Sequence, residues 1–176
     1  METKITILAI FFENPEKEFH IREVAKLLKI NHTTVRQYLN NFVKEEFLSL
    51  RKDRIYLYYK SNQNKKFLNL KLYYNLEKIR KSEIVEQIEK NYDYPAVILF
   101  GSYSKATDDS KSDVDICIIS DIKKDKDYHK FEKDLNRKVS IHLFTSKDWE
   151  TMKVKNPELV NNICNGIVLS GKLEAI

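Results

Sequence analysis

Five consecutive apolar residues, Ala96-Val97-Ile98-Leu99-Phe100, stop at Gly101-Ser102, and ten residues later Asp113-Val114-Asp115 leads into a second apolar run, Ile116-Cys117-Ile118-Ile119. Unbroken apolar runs this short read as strands buried on both faces, and a sheet flanked by helices is what buries them. On an extended strand, residues two apart share a face, so Asp113 and Asp115 present paired carboxylates in one direction. Like charges so placed repel, at a cost in stability unless a cation sits between them. Carboxylates together with phosphate oxygens are the usual bed for Mg²⁺, which keeps several waters and takes few protein ligands. At a strand-to-helix turn, Gly101-Ser102 supplies close backbone approach, free amides and a hydroxyl suited to a triphosphate.

The 176 residues have room for one ordinary domain or two small ones, with 42% hydrophobic and 32% charged residues, 9 Phe and 10 Tyr to fill real cores. Disorder as the main state is excluded. Only Gly101, Gly166 and Gly171 occur, which removes the P-loop and the Gly-x-Gly-x-x-Gly fingerprint. Cys117 and Cys164 lie far apart in apolar surroundings and read as buried thiols, not as a disulfide framework or a metal site. No apolar run approaches the roughly 18 residues of a spanning helix. Met1-Glu2-Thr3-Lys4 leads into a helix-like segment instead of a signal sequence, so the chain reads as cytoplasmic with no membrane partner. The net charge of +5 is uneven: residues 1–90 sum to +6 and 91–176 to −1. Such asymmetry fits an N-terminal part that meets a polyanion, and equally a lysine-rich solvated surface.

In the first sixty residues, Ile5, Leu8, Phe11 and Phe12 recur at helical spacing up to Asn14-Pro15. A second stripe, Ile21, Val24, Ala25 and Leu28, and a third, Val35, Leu39, Phe42 and Val43, flank a tight turn at Lys29-Ile30-Asn31, with Asn31 as N-cap of the third helix. Leu48-Ser49-Leu50 and Arg54 to Tyr59 then read as two strands around the polar tip Arg51-Lys52-Asp53-Arg54. Residues 61–90 carry Phe67, Leu70, Tyr74, Leu76, Ile79, Val85 and Ile88 without Gly or Pro, which predicts a connecting helix.

Three helices and a hairpin resemble the winged helix-turn-helix family, with His32-Thr33-Thr34-Val35-Arg36-Gln37-Tyr38-Leu39 like the start of its recognition helix. The resemblance implies a duplex-DNA partner, with Thr33, Thr34, Arg36, Gln37 and Asn40 facing bases and phosphates and Arg51, Lys52 and Arg54 on the wing. Winged helices also serve as protein-docking modules. The sequence departs from the usual pattern where glycine often sits, at Lys29 and Glu46.

Leu99-Phe100-Gly101-Ser102-Tyr103 and Ser112-Asp113-Val114-Asp115-Ile116 resemble the DNA polymerase beta superfamily of nucleotidyltransferases, most closely its minimal branch. The resemblance covers roughly residues 91–176, and the whole layout is similar to archaeal proteins that join a winged helix to such a domain. It implies an α+β chain: winged helix over 1–60, connecting helix over 61–90, and over 91–176 a nucleotidyltransferase-like mixed sheet flanked by helices. It further implies Mg²⁺ as cofactor and a nucleoside triphosphate, ATP first, as substrate or ligand. Asp113 and Asp115 would be the catalytic metal ligands, and Gly101, Ser102 and Lys105 would hold the phosphates. The activity implied is transfer of a nucleoside monophosphate to a hydroxyl. Relatives of the minimal branch include antitoxins that modify tyrosines of a HEPN-type partner, which makes a protein acceptor attractive.

Two departures matter. Transferring members of the family add a third carboxylate from a neighbouring strand, whereas the matching segment here, Lys138 to Phe144, offers Ser140 or His142 at its inward positions. Asp134 and Asp148 are the nearby acids that could substitute, His142 reads either as a ligand or base or as a partly buried, hydrogen-bonded histidine, and Ala106 stands where the family has glycine. The alternative is therefore a DNA-binding regulator whose degenerate transferase domain binds nucleotide or partner without turnover. A homodimer is the analogy from two-half-site DNA readers. The alternating charges from Asp121 to Lys138 read as a solvated helix, and Trp149 and Met152 as packing.

Overall fold

Apolar stripes and turn signals in the first sixty residues become helix α1 (Glu2–Glu13), strand β1 (Phe19–His20), helices α2 (Ile21–Leu28) and α3 (His32–Lys44), and strands β2 (Leu48–Asp53) and β3 (Tyr56–Ser61). The computed structural model describes residues 2–122, 124 and 126–173. They divide between Tyr74 and Asn75 into two units.

In the first unit, α1 buries Ile7, Leu8, Phe11 and Phe12 against Val24, Val35, Leu39, Phe42 and Tyr59. Aromatic pairs knit this core, Phe11 with Phe19 at 5.3 Å and Phe12 with Phe67 at 5.0 Å between centroids, each worth ~0.5–1.5 kcal/mol beyond its area burial. α2 ends where Lys29 turns left-handed at φ +55°, and the Asn31 side chain caps α3 by accepting the Thr33 amide at 2.8 Å. Glu46 is likewise left-handed, at φ +63°. Both are positions where glycine would carry no Cβ strain. The sheet is antiparallel in the order β1-β3-β2. Its hairpin is longer than the sequence suggests. Arg51, Lys52 and Asp53 pair with Tyr58, Leu57 and Tyr56, so the tip is Arg54-Ile55 and the two basic residues before it belong to the strand.

The connecting segment is two helices, α4 (Lys65–Ser82) and α5 (Ile84–Tyr92). Glu83 between them is left-handed at φ +59°. The Ser82 hydroxyl donates to the Ile79 carbonyl at 2.7 Å and accepts the Ile84 amide at 3.4 Å. A serine that satisfies backbone groups in this way competes with the helical ladder, which is why the helix breaks without Gly or Pro.

The second unit continues with β4 (Ala96–Phe100), the one-turn helix α6 (Gly101–Ser104), β5 (Val114–Ile119), a 3₁₀ turn (His129–Phe131), α7 (Glu132–Leu135), β6 (Val139–Phe144), α8 (Ser146–Lys155), α9 (Pro157–Cys164) and β7 (Ile167–Ser170). Strand order is β6-β5-β4-β7. β4 is antiparallel to β5 and β7, while β5 and β6 run parallel, so the sheet is mixed. Strand alternation gives it two packed faces. Val97, Leu99, Val114, Ile116 and Ile118 meet Ile84 and Ile88 of α5, with Phe131 and Leu135. Ile98, Phe100 and Cys117 meet Trp149 of α8 and Ile163 of α9. This is the α+β arrangement expected of the motif.

Two expectations need correction. Cys117 is buried, but Cys164 is exposed at the end of α9, because the apolar neighbours that suggested burial point to the other side of that helix. Among the described residues between Asp121 and Lys138, helix is confined to the short turns at 129–135, and the charged residues before them lie in irregular chain; Lys123 and Asp125 lie outside the described residues. Among the described residues, no helix is long and apolar enough to cross a membrane.

Candidate active site

β4 delivers Gly101 to the end of the sheet, at the point where Phe100 pairs with Asp115 of β5. Gly101 adopts φ +72°, and a Cβ built on it would overlap Asp115 Oδ2 and lie 3.3 Å from Asp115 Cγ. The glycine is therefore required twice, once for its backbone conformation and once for the carboxylate packed on it. α6 starts here, and its second residue, Ser102, is half-buried. The Ser102 carbonyl accepts from the Lys105 and Thr107 amides, each at 3.1 Å, while its hydroxyl has no partner among the described residues.

The ten residues between Gly101-Ser102 and the acidic pair are held at several points. Ala106 is buried and left-handed at φ +56°, the conformation that glycine would take freely. Asp108 is buried, accepts from Asn75 Nδ2 at 2.9 Å, and faces Arg137 Nη2 at 3.9 Å. Asn75 Nδ2 also donates to the Tyr103 carbonyl at 3.0 Å, tying α4 to the turn after β4. Asp109 Oδ1 then accepts from the amides of Lys111 at 2.8 Å and Ser112 at 3.1 Å, forming a turn directly before Asp113. The Lys111 amide is the largest cause holding the Asp109 carboxyl below its usual range. Asn75, Asp108 and Arg137 were missed by sequence reasoning. Nothing local marks them, since their partners come from three separate elements.

Asp113 is exposed and Asp115 half-buried, two residues apart at the start of β5. Burial is the main cause raising the Asp115 carboxyl pKa, the Asp113 charge adds to it, and nearby His142 opposes it. A half-buried carboxylate that repels its neighbour, with a glycine-lined cradle beside it, is a donor set fit for a divalent cation. On the neighbouring strand, Ser140 stands opposite Asp115 and His142 opposite Cys117. No acid occupies this face of β6. Asp148 is taken up in the cap of α8, where it accepts the Thr145 hydroxyl at 2.6 Å, and Asp134 is exposed on α7. Lys105 is exposed and donates to Asn162 Oδ1 of α9 at 2.9 Å. A cleft of about 400 Å³ opens beside Asp113, lined by Lys111, Ser112, Glu132 and Lys138 among others. A cleft of similar size, about 430 Å³, lies at the far ends of β4 and β5, around Ala96, Ile119 and Trp149, away from the acidic pair.

The model of the family described as Polymerase beta, Nucleotidyltransferase matches residues 82–174, more than half of the chain. The chain belongs to this nucleotidyltransferase family. No curated protein matches it. The matched segment takes in α5, every strand of the second unit and the whole face built from Gly101, Ser102, Asp113 and Asp115.

Outside the nucleotidyltransferase segment, α3 carries Thr33, Arg36, Gln37 and Asn40 exposed and Thr34 half-buried, and contains no acidic residue. The Asn40 Oδ1 is occupied by the Tyr59 hydroxyl at 2.9 Å. Arg51 is engaged three times: its guanidinium donates to both Glu18 oxygens, at 2.9 and 2.6 Å, lies 3.6 Å from Asp53 Oδ2, and stacks over Tyr58 at 4.7 Å. Lys52 is exposed on β2, and Arg54 is exposed at the hairpin tip with φ +53°.

Proposed function

We propose that the chain is a Mg²⁺-dependent nucleotidyltransferase, moving a nucleoside monophosphate from a nucleoside triphosphate to a hydroxyl with release of pyrophosphate, and that its first unit is a winged helix that binds duplex DNA. The observation that supports the enzymatic part is the packing of Gly101 against the Asp115 carboxylate, which sets the Gly101-Ser102 turn beside the acidic pair. Asp113 and Asp115 would hold the ion, which when bound offsets charge on the phosphate oxygens and on the departing pyrophosphate. The Ser102 hydroxyl and the first amides of α6 donate to phosphate oxygens, and Lys105 adds a positive charge at the edge. The acceptor oxygen attacks the α-phosphorus, the bond to the β-phosphate oxygen breaks in line, and the hydroxyl proton leaves to solvent. A tyrosine of a HEPN-type protein is the first acceptor to try, by resemblance to partner-modifying relatives.

The DNA-binding part is supported by the acid-free α3 and by the exposed cations Arg36, Lys52 and Arg54. Several acids of this unit are taken up in pairs elsewhere: Glu16 with Lys60, Glu18 with Arg51, Glu23 with Lys17 and Glu45 with Lys4. Ser140 opposite Asp115 favours a second reading, in which the nucleotide is bound and sensed without turnover. Calorimetric titration with ATP, with and without Mg²⁺, on the wild type and Asp113→Asn tests the site. Metal-dependent binding lost in the variant supports it, and absence of triphosphate binding sinks it. Label transfer from α-labelled ATP then separates the two readings.

A further inference from the structure

Hydrogen bonds within the second sheet fix which backbone groups of β6 are left over. The Lys138 carbonyl accepts the Val114 amide at 2.8 Å, and the Phe144 carbonyl accepts the Ser120 amide at 2.9 Å. Backbone direction alternates along a parallel ladder, so Ser140 and His142 also turn to β5, while Val139, Ile141 and Leu143 turn their amides and carbonyls outward. The Val139 amide donates to Glu132 Oε1 at 3.1 Å, in keeping with that phase. β6 ends the sheet, and among the described residues nothing pairs with the outward groups of Ile141 and Leu143.

The two edges of this sheet differ. β7 is four residues long and its pairing with β4 slips at Val97/Ile98, both devices that blunt an edge. β6 has six residues, Val139 to Phe144, with no proline, lysine or acid, and its ladder is unbroken. A groove of about 560 Å³ runs beside it, between Val139 and Ile141 on one side and Lys126, Asp127, Tyr128 and His129 on the other. Asp127 Oδ1 is taken by the His129 amide at 2.7 Å and Glu132 by the Val139 amide, whereas Lys126 and Lys138 are exposed. The charge this edge offers to a partner is positive.

We propose that β6 is the docking edge for the acceptor, an extended polypeptide segment flanked by acids that adds a strand here and points a tyrosine at the acidic pair. The inference rests on reading the corner of Asp113 and Asp115 as a nucleotidyltransferase site. Strand addition takes its affinity from main-chain bonds and its specificity from alternate side chains. A second copy fits less well. Two strands of about 20 Å meeting edge to edge fall far short of the roughly 1,200 Å² at which stable interfaces begin, and the Val139 amide at each end of such a pair is already spent. A strand beside β6 lies one spacing from Ser140 and two, about 9.6 Å, from Asp115. Serine and threonine hydroxyls fall short across that gap, and tyrosine, the longest hydroxyl side chain, spans it. Its apolar neighbours in sequence enter the groove over Val139 and Ile141, on the opposite face. The tyrosine oxygen bonds to the α-phosphorus, the bond to the β-phosphate oxygen breaks, pyrophosphate leaves and the proton passes to solvent.

Amide hydrogen exchange, read residue by residue by NMR on the full chain, tests the docking. The probe is the peptide Asp-Glu-Val-Gln-Val-Tyr-Val-Gln-Val-Glu-Asp at millimolar concentration, and backbone bonds make the result insensitive to its exact sequence. It is expected to slow exchange at Ile141 and Leu143 about tenfold or more and to leave Ser140 and His142, already bonded to β5, unchanged. Ile141→Pro removes one outward N–H, a change that edge strands tolerate, and is expected to weaken docking about tenfold. The wild-type pattern decides the matter whether or not that variant folds. With α-labelled ATP and Mg²⁺, the peptide is expected to take label and its Tyr-to-Phe version none. Metal-dependent ATP binding with no slowing at Ile141 and Leu143 overturns the docking edge and leaves the nucleotide site standing. Slowing that depends on protein concentration without peptide assigns the edge to a second copy and overturns the proposal. Docking and ATP binding together without label overturn the acceptor role, and docking without triphosphate binding overturns the proposed function and not the docking edge.

Discussion

Replacing Gly101 with alanine separates what this residue does for the fold from what it does for Asp115. At φ +72° an alanine is strained by ~1–2 kcal/mol. In a unit of this size each kcal/mol lowers Tm by about 4–8 °C. The new methyl overlaps Asp115 Oδ2, and that carboxylate is the far end of a side chain, so it gives way. Moving it out to an ordinary contact of ~3.5 Å displaces it by about 1 Å. A cation ligand shifted that far loses affinity by about 10–100-fold. Calorimetric titration with ATP and Mg²⁺, run beside thermal denaturation, reads both effects on one preparation. Gly171→Ala is the control. It has a similar backbone conformation, φ +70°, but its methyl meets the Pro95 carbonyl oxygen at 2.5 Å and Ala96 Cα at 2.9 Å. Backbone atoms cannot turn aside, so this variant melts lower than Gly101→Ala yet binds nucleotide normally while folded. If Gly101→Ala loses the expected stability but keeps wild-type affinity, the carboxylate beneath it is not a ligand and the reasoning fails.

Three other perturbations probe different parts of the molecule. Burial raises the Asp115 pKa, so the metal-free folded state keeps a proton that the unfolded chain has released, and stability falls as pH rises from the ordinary aspartate value of ~3.9 through the folded one. In EDTA, Asp115→Asn should abolish that slope and melt higher than the wild type at pH 7; a lower melting point would count against the assignment. Asp108→Ala leaves Arg137 buried without its carboxylate and should cost about 3–5 kcal/mol in denaturant titration, whereas a loss below about 1 kcal/mol would mean that the network does not hold the spacer. For DNA, Arg36→Ala should weaken duplex binding and lower the salt slope by about one, while Arg51→Ala, whose guanidinium is already spent on Glu18 and Tyr58, should change affinity little. Equal losses from both would reject the proposed surface.

Local patterns were legible without a structure because their physics is local. The two apolar runs could only be buried strands, Gly101-Ser102 had to turn between strand and helix, and period two put Asp113 and Asp115 on one side. The Asn31 cap followed from neighbours a few residues away, while the left-handed Lys29 and Glu46 stand where the resembled winged-helix pattern often has glycine. Even the presence of Ser140 or His142 on an inward face followed from alternation. Which of them stands opposite Asp115 did not, because register belongs to a pair of strands and neither strand states it alone. The same holds for the break at Glu83, for Arg51 drawn to Glu18, and for the Asn75, Asp108 and Arg137 network behind the acidic pair. The sequence by itself determined the elements and the chemistry they carry, since helical and strand periods and turn preferences act over a few residues. Only the tertiary structure decided which side chains share a corner and which charges are already spent, since those depend on contacts between residues far apart in the chain.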